Sequence, residues 1–105
     1  MGAILGNAVY ADFLVVFQNV TVNTSADEIG NPAPVLGKGL FLGAGAKIIG
    51  NKKVGNRVSI SVDTVVYNQE IPDDKVVITD ANGQTLITNR KKPKCMAQNY
   101  FRVTI

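Results

Sequence analysis

Few residues of this chain have side chains that could carry out a reaction. Its 105 residues include no histidine, which excludes histidine-based acid–base catalysis and metal ligation by histidine. Asp27 and Glu28 form a carboxylate pair, but a carboxylate with an ordinary pKa of about 4 is a poor base for an alcohol. Cys95, the single cysteine, has no histidine to activate its thiol. We therefore predict no catalytic residue and no metal site, and we interpret the carboxylate pair as a solvated acidic loop.

A basic cluster near the end of the chain consists of Arg90, Lys91, Lys92 and Lys94, and the net charge is +3. Such a cluster could bind nucleic acid or another polyanion. A binder of single strands would also need aromatic side chains for stacking, and no such pattern accompanies the cluster. Nucleic acid is therefore not expected as a partner, and a solvated loop is the simpler interpretation.

The elements that must position these residues are indicated by an aliphatic side chain at every sixth position. The central series is Leu36, Leu42, Ile48, Val54, Ile60 and Val66. The same phase is present upstream at Ile4, Tyr10, Val16 and Val22. A helical period and the alternation of an ordinary strand both fail to fit this spacing. A short fixed repeat instead indicates a solenoid, here a β-helix in which three hexads form one coil of about 18 residues. The alternative is a β-sandwich with glycine-rich turns.

We predict an all-β fold with a β-helix domain over residues 1–75. The hexads accommodate about three coils, roughly residues 4–21, 30–47 and 48–65. A partial turn reaches Ile71, after which the hexads are expected to stop. The phase breaks between Val22 and Leu36, and the intervening segment is rich in turn-forming residues. We therefore predict a loop over residues 23–34 that projects from a corner of the coil.

The remaining residues, 76–105, are expected to form an antiparallel extension that caps the open end of the coil. Asn82 and Gly83 lie between two β-rich runs, which is the strongest short-range signal for a hairpin. A two-residue turn there would pair Ile78 with Ile87. The last six residues alternate in polarity and predict a strand with three apolar side chains on one face, namely Phe101, Val103 and Ile105.

The stretch PVLGKGLFLGAGAKIIGNKKVGNRVSI, residues 34–60, resembles the β-helix of the hexapeptide-repeat acyltransferases and is similar to the serine acetyltransferases among them. The resemblance extends over about residues 4–78. It implies a left-handed parallel β-helix, an exception to the usual right-handed crossover. It also implies a homotrimer of prisms, with acetyl-CoA or CoA in the groove between neighbours and a histidine as general base.

The resemblance further implies that CoA lies against small residues of the GAGA stretch and of the equivalent stretch one coil later. The residues at these cofactor-binding positions are Gly43, Ala44, Gly45, Ser61 and Val62. Val62 adds bulk where the pantetheine arm would lie, and Asp63 adds negative charge near a phosphate-bearing ligand. Because the glycines are also required by the corners of a β-helix, retained CoA binding is left open.

The position of the family's catalytic histidine is occupied here by a different side chain. The family has an Arg-His-Pro sequence at the end of its active-site loop, and this chain has Pro32, Ala33 and Pro34 there. The methyl group of Ala33 cannot accept a proton, and removing a general base costs about 10²–10⁴ in rate. A second family histidine would fall before Met1.

Two functions are consistent with these residues. The first is a serine-acetyltransferase-like domain that binds acetyl-CoA but lacks the usual histidine-based O-acetyl transfer. The second is a non-catalytic trimeric assembly or interaction module derived from such an enzyme, so whether the chain is an enzyme is left open.

No apolar run reaches the roughly 18 residues of a membrane helix. A single cysteine and an N-terminus without signal-peptide features favour the cytoplasm, and the acceptor substrate is not identified.

Overall fold

The computed structural model describes residues 2–6, 8–22 and 34–105, and among them the regular structure is all-β apart from one short 3₁₀ helix. The strands are short because each hexad supplies only two or three extended residues before the chain turns. Within the described residues, the strands are β1 (Ile4–Leu5), β2 (Val9–Tyr10), β3 (Val15–Val16), β4 (Thr21–Val22), β5 (Val35–Leu36), β6 (Phe41–Leu42), β7 (Lys47–Ile49), β8 (Ser59–Ile60), β9 (Val65–Tyr67), β10 (Lys75–Thr79) and β11 (Thr85–Asn89). A 3₁₀ helix follows at Met96–Tyr100.

The strands stack in three sheets that are compatible with a β-helix. Sheet 1 has the order β1-β4-β7-β9, sheet 2 the order β11-β10-β8-β6-β3, and sheet 3 contains β2 and β5. Isolated parallel bridges extend sheet 3 from Leu36 to Val54 and from Val54 to Ile71. Neighbouring strands within the sheets are parallel, except for the antiparallel pair of β10 and β11.

The register of the sheets agrees with the repeat. Leu42 pairs with Ile60 and Ile48 pairs with Val66, so one coil contains three hexads. The interior holds all six central positions, at 0–2% exposure: Leu36, Leu42, Ile48, Val54, Ile60 and Val66. The prediction that these six side chains project into one core is therefore confirmed.

The phase differs from the predicted one at both ends of the series. Leu5, rather than Ile4, pairs with Val22. At the other end, Ile71 bridges to Val54 and Val77 pairs with Ile60. The turn before Ile71 is one residue shorter than the turn before Val54, so the interior positions after it fall one residue earlier in the chain than predicted. The expectation that the hexads stop after Ile71 is wrong, because β10 adds a further parallel strand to sheet 2.

The pairings around the predicted loop span a longer interval. Tyr10 pairs with Leu36 and Val16 pairs with Leu42, each 26 residues apart (36 − 10 and 42 − 16). The extra residues fall at the predicted loop, 23–34. Apart from Pro34, that segment lies outside the described residues, and so do Asp27, Glu28 and Ala33.

The hairpin forms between β10 and β11, but its register is shifted from the predicted one. Ile78 pairs with Leu86, and Ile87 pairs with Val77. The shift follows from the side chain of Asp80, whose Oδ1 accepts hydrogen bonds from the backbone N–H groups of Asn82 (2.8 Å) and Gln84 (2.9 Å). This Asx-type arrangement makes a longer connection than the two-residue turn.

The C-terminal residues do not form the predicted strand. They pack on the outer face of sheet 2, where Phe41, Cys95 and Ala97 form a second apolar cluster with Val15 and Ile105. The Gln98 side chain makes the hydrogen bonds to this backbone that a neighbouring strand would otherwise make. Its Nε2 donates to the carbonyl oxygens of residues 101 and 103 (3.1 and 2.8 Å), and its Oε1 accepts from the N–H of residue 105 (2.9 Å). We call residues 90–105 the tail. No helix among the described residues is long and apolar enough to cross a bilayer.

Candidate ligand-binding groove

The GAGA stretch forms a corner of the coil where successive turns lie directly on one another. Gly45 has a φ of 74° and its N–H donates to the Gln18 carbonyl (3.0 Å), while the Asp63 N–H donates to the Ala44 carbonyl (2.9 Å). A Cβ on Gly45 would collide with the Asp63 carboxylate, and one on Gly43 would lie 2.9 Å from the Val62 nitrogen. Close stacking of the coils therefore requires both glycines.

A groove of about 510 Å³ lies between this corner and the tail, on the outer face of sheet 2. Phe41, Ser59 and Val76 occupy neighbouring positions across β6, β8 and β10, and they form the floor of the groove because the next residue of each strand faces the core. A volume of this size is typical of sites for small organic ligands.

The two sides of the groove come from distant parts of the chain. One side carries Gly43, Ser61 and Val62, three of the five cofactor-binding residues predicted from the sequence. Ala44 and Gly45, the other two, lie on the same corner but do not line the groove. The opposite side is formed by the end of the hairpin and the tail, with Thr88, Arg90, Lys91, Lys92, Lys94 and Met96.

Arg90 differs from the other basic residues of the tail because its charge is already paired. Its Nη1 donates to Asp74 Oδ1 over 2.7 Å, and its Nε donates to the Lys92 carbonyl over 3.0 Å. Arg57 also donates two hydrogen bonds to Asp74, and these bonds lower the pKa of that carboxyl to about 2. Arg90 therefore fixes the tail to the coil.

The three lysines of the tail provide the free positive charge of the groove. Lys91, Lys92 and Lys94 are exposed, and none of them forms a salt bridge with a described residue. Phe17, Val76 and Met96 add apolar surface beside them. The arrangement suits an anionic molecule that also carries an apolar portion.

Ser59 is a functional candidate that sequence reasoning missed. Its residue is 3% exposed, it lines the groove, and its Oγ has no hydrogen-bond partner within the part of the chain that the structure describes. One signal was present, since Ser59 directly precedes the interior position Ile60 and a strand residue next to an interior one must face outward.

Of the remaining chemistry-bearing residues named from the sequence, Cys95 lies within the described part of the chain, whereas Asp27 and Glu28 do not. Cys95 is 3% exposed, packed in the cluster with Phe41, so its thiol does not face solvent. No group of three or more acidic or cysteine ligands that could hold a metal occurs in residues 2–6, 8–22 and 34–105.

Comparison with known proteins supports the resemblance. A serine acetyltransferase of Synechococcus elongatus is 33% identical over 79 residues, which cover 74% of this chain and 32% of that protein. Serine acetyltransferases of Staphylococcus aureus and Staphylococcus epidermidis are each 32% identical over 79 residues, 74% of this chain and 37% of theirs. The chain thus spans about a third of the length of the curated relatives it matches.

Other comparisons add no further relative. No protein-family profile matches the chain, and no solved structure matches it significantly. The relationship therefore depends on the curated sequences, whose matched segment is about as long as the region of repeats predicted from the sequence. Over those 79 residues, the chain is related to the hexapeptide-repeat acyltransferases and is similar to the serine acetyltransferases.

Proposed function

We propose that this chain is a left-handed β-helix of the acyltransferase type that binds CoA or its acetyl thioester in the groove and lacks histidine-based O-acetyl transfer. The observation that carries the proposal is that the corner predicted to bind CoA and the basic cluster, which was interpreted from the sequence as a solvated loop, line one groove within a single chain. Gly43, Ser61 and Val62 line the groove together with the basic residues of the tail. The sequence similarity to serine acetyltransferases supports the same ligand class, because those enzymes use acetyl-CoA.

The charges of the groove favour a phosphorylated ligand. Lys91, Lys92 and Lys94 place three ammonium groups on one side, where they can pair with phosphate oxygens. The apolar side chains of Phe17 and Met96 would lie against the uncharged arm of the ligand. Asp63, whose charge the sequence placed near the ligand, does not line the groove.

The proposed loss of histidine-based transfer follows from the composition. With no histidine among these 105 residues, the chain itself supplies no imidazole to take the proton from an attacking hydroxyl. We expect no thiol release from acetyl-CoA in the presence of serine beyond the uncatalysed rate. Turnover at the rate of an ordinary acetyltransferase, about 1–10³ per second, would refute this part of the proposal.

Calorimetric titration with CoA and with acetyl-CoA tests the binding directly. We expect micromolar dissociation constants that rise with salt, because the phosphate contacts are screened. Replacing Lys91 and Lys92 by alanine should weaken CoA binding about tenfold or more. The matched control replaces Lys52 and Lys53, which are exposed and outside the groove, and should leave the affinity unchanged.

The alternative, a trimeric assembly module, is supported by a different surface. Val9 and Val35 pair across sheet 3, and they are 54% and 46% exposed. An exposed apolar pair on a flat sheet face is suited to packing against another copy of the chain. Light scattering would then give three times the monomer mass of 11.2 kDa, whereas a monomeric mass that persists at high concentration would exclude the trimer.

A further inference from the structure

The floor of the groove contains a polar group without a partner. Ser59 lies between Phe41 and Val76 in the parallel ladder of sheet 2, so apolar side chains stand beside it on both neighbouring strands. Its Oγ is buried and neither donates a hydrogen bond to a described residue nor accepts one. A buried hydroxyl in this condition costs free energy, which a ligand with a suitable acceptor would recover.

The hydroxyl of Thr88, in the same groove, is hydrogen-bonded within the fold, as buried polar groups usually are. Thr88 Oγ1 donates a hydrogen bond to the Val76 carbonyl over 3.0 Å, so its bonding capacity is used within the fold. Ser59 and Thr88 both line the groove, but no described residue uses the hydrogen-bonding capacity of the Ser59 hydroxyl. The Thr88 hydroxyl therefore contributes a hydrogen bond to the fold, whereas the Ser59 hydroxyl contributes none.

We propose that the Ser59 hydroxyl is a ligand-binding group that donates a hydrogen bond to a carbonyl oxygen on the arm of the bound molecule. The ligand class is a phosphorylated compound whose uncharged arm contains an amide or thioester carbonyl. The lysines of the tail bind its phosphates, and the chain's own tail supplies the second side of the groove. This inference rests on the proposed function and adds the residue that recognises the arm.

The test is a set of calorimetric titrations with CoA, acetyl-CoA and adenosine 3′,5′-bisphosphate, the last of which lacks the arm. Ser59→Ala should weaken the binding of CoA and acetyl-CoA about five- to tenfold. It should leave the affinity for the bisphosphate unchanged. The melting temperature of the free variant should stay the same or rise, because alanine removes the unpaired hydroxyl.

Thr85→Val is the matched control. It removes a hydroxyl that donates to the Val65 carbonyl over 2.6 Å and lies outside the groove, so it should lower the melting temperature and keep the CoA affinity within about twofold. If Ser59→Ala binds CoA as tightly as the native chain, or lowers the melting temperature without a change in affinity, the hydroxyl is structural and the inference is overturned while the proposed function stands. If the native chain binds no CoA, the proposed function itself fails.

Discussion

Arg57 donates two hydrogen bonds to Asp74, from Nε to Oδ1 over 2.8 Å and from Nη2 to Oδ2 over 3.0 Å. The two residues lie one above the other at a corner of the coil, since the Asp74 N–H donates to the carbonyl of Asn56. Oδ1 of the same carboxylate also accepts from Arg90 Nη1 over 2.7 Å. One aspartate therefore joins two successive turns of the coil to the tail that forms a side of the groove.

Acid should weaken this junction. The pKa of Asp74 is lowered from 3.8 to about 2, and the largest cause is hydrogen bonding from Arg57. A carboxyl with a lowered pKa stabilises the fold above its unfolded-state value of 3.8 and loses that contribution as the pH falls towards about 2. Because the Asp74 side chain is 38% exposed, solvent screening limits the contribution to about 1 kcal/mol.

Asp74→Asn is the variant that checks the acid effect, because asparagine tolerates the φ of 60° at this position. Urea unfolding at pH 7 should show a loss of about 1 kcal/mol relative to the native chain. The difference between the two proteins should shrink on approach to pH 2. An equal difference at both pH values would show that ionisation of Asp74 does not stabilise the fold.

Alanine substitutions at three glycines can distinguish the cost of a strained backbone conformation from the cost of steric crowding. Gly83 has a φ of 80° and nothing near the position of a Cβ, Gly43 has a close neighbour without a positive φ, and Gly45 has both features. Replacement by alanine should cost about 1 kcal/mol at Gly83 and about 1–3 kcal/mol at Gly43, with the greatest loss at Gly45. Denaturant unfolding of the three variants gives the order, and equal losses at Gly83 and Gly45 would contradict the close stacking with Asp63.

The repeat could be predicted from the sequence because burial recurs every six residues through the middle of the chain. The continuation beyond Val66 could not, since a single shortened turn changes the phase and the run Val76, Val77 and Ile78 is apolar in either register. Only the pairing of Val77 with Ile60 decides between them. Periodicity identifies the core wherever polar residues separate the interior positions, and it fails where they do not.

The groove could be predicted only in part, because its two sides are about 30–50 residues apart along the chain. The corner with Gly43 followed from the repeat and the resemblance. The docking of the tail on sheet 2 did not, since the alternation of Phe101, Val103 and Ile105 is typical of a strand. The hydrogen bonds of the Gln98 side chain to that backbone are a tertiary feature with no periodic signal.

The hairpin connection should depend on the carboxylate of Asp80. Asp80→Ala removes the acceptor of two backbone hydrogen bonds, from Asn82 at 2.8 Å and Gln84 at 2.9 Å, and should destabilise the protein by about 1–2 kcal/mol. Asp80→Asn keeps a side-chain oxygen in the same place and should cost less. Thermal unfolding of both variants measures the effect, and an equal loss in the two would show that the oxygen is not what fixes the connection.

Docking of the tail can be followed through Cys95, because it is the single cysteine and is 3% exposed against Phe41. A thiol reagent should therefore label the native protein only when the tail opens, on the order of 100-fold more slowly than in urea. Phe41→Ala removes the ring that covers the thiol and should speed labelling about 10- to 100-fold.

Val62→Ala is the control for that measurement, because Val62 is 61% exposed and lies outside the apolar cluster. It should leave the labelling rate unchanged. Rapid labelling of the native chain would mean that the tail does not rest on sheet 2, and the second side of the groove would then be missing. Protection of Cys95 by CoA, in contrast, would show that ligand binding stabilises the docked tail, as expected if Lys91, Lys92 and Lys94 hold the phosphates.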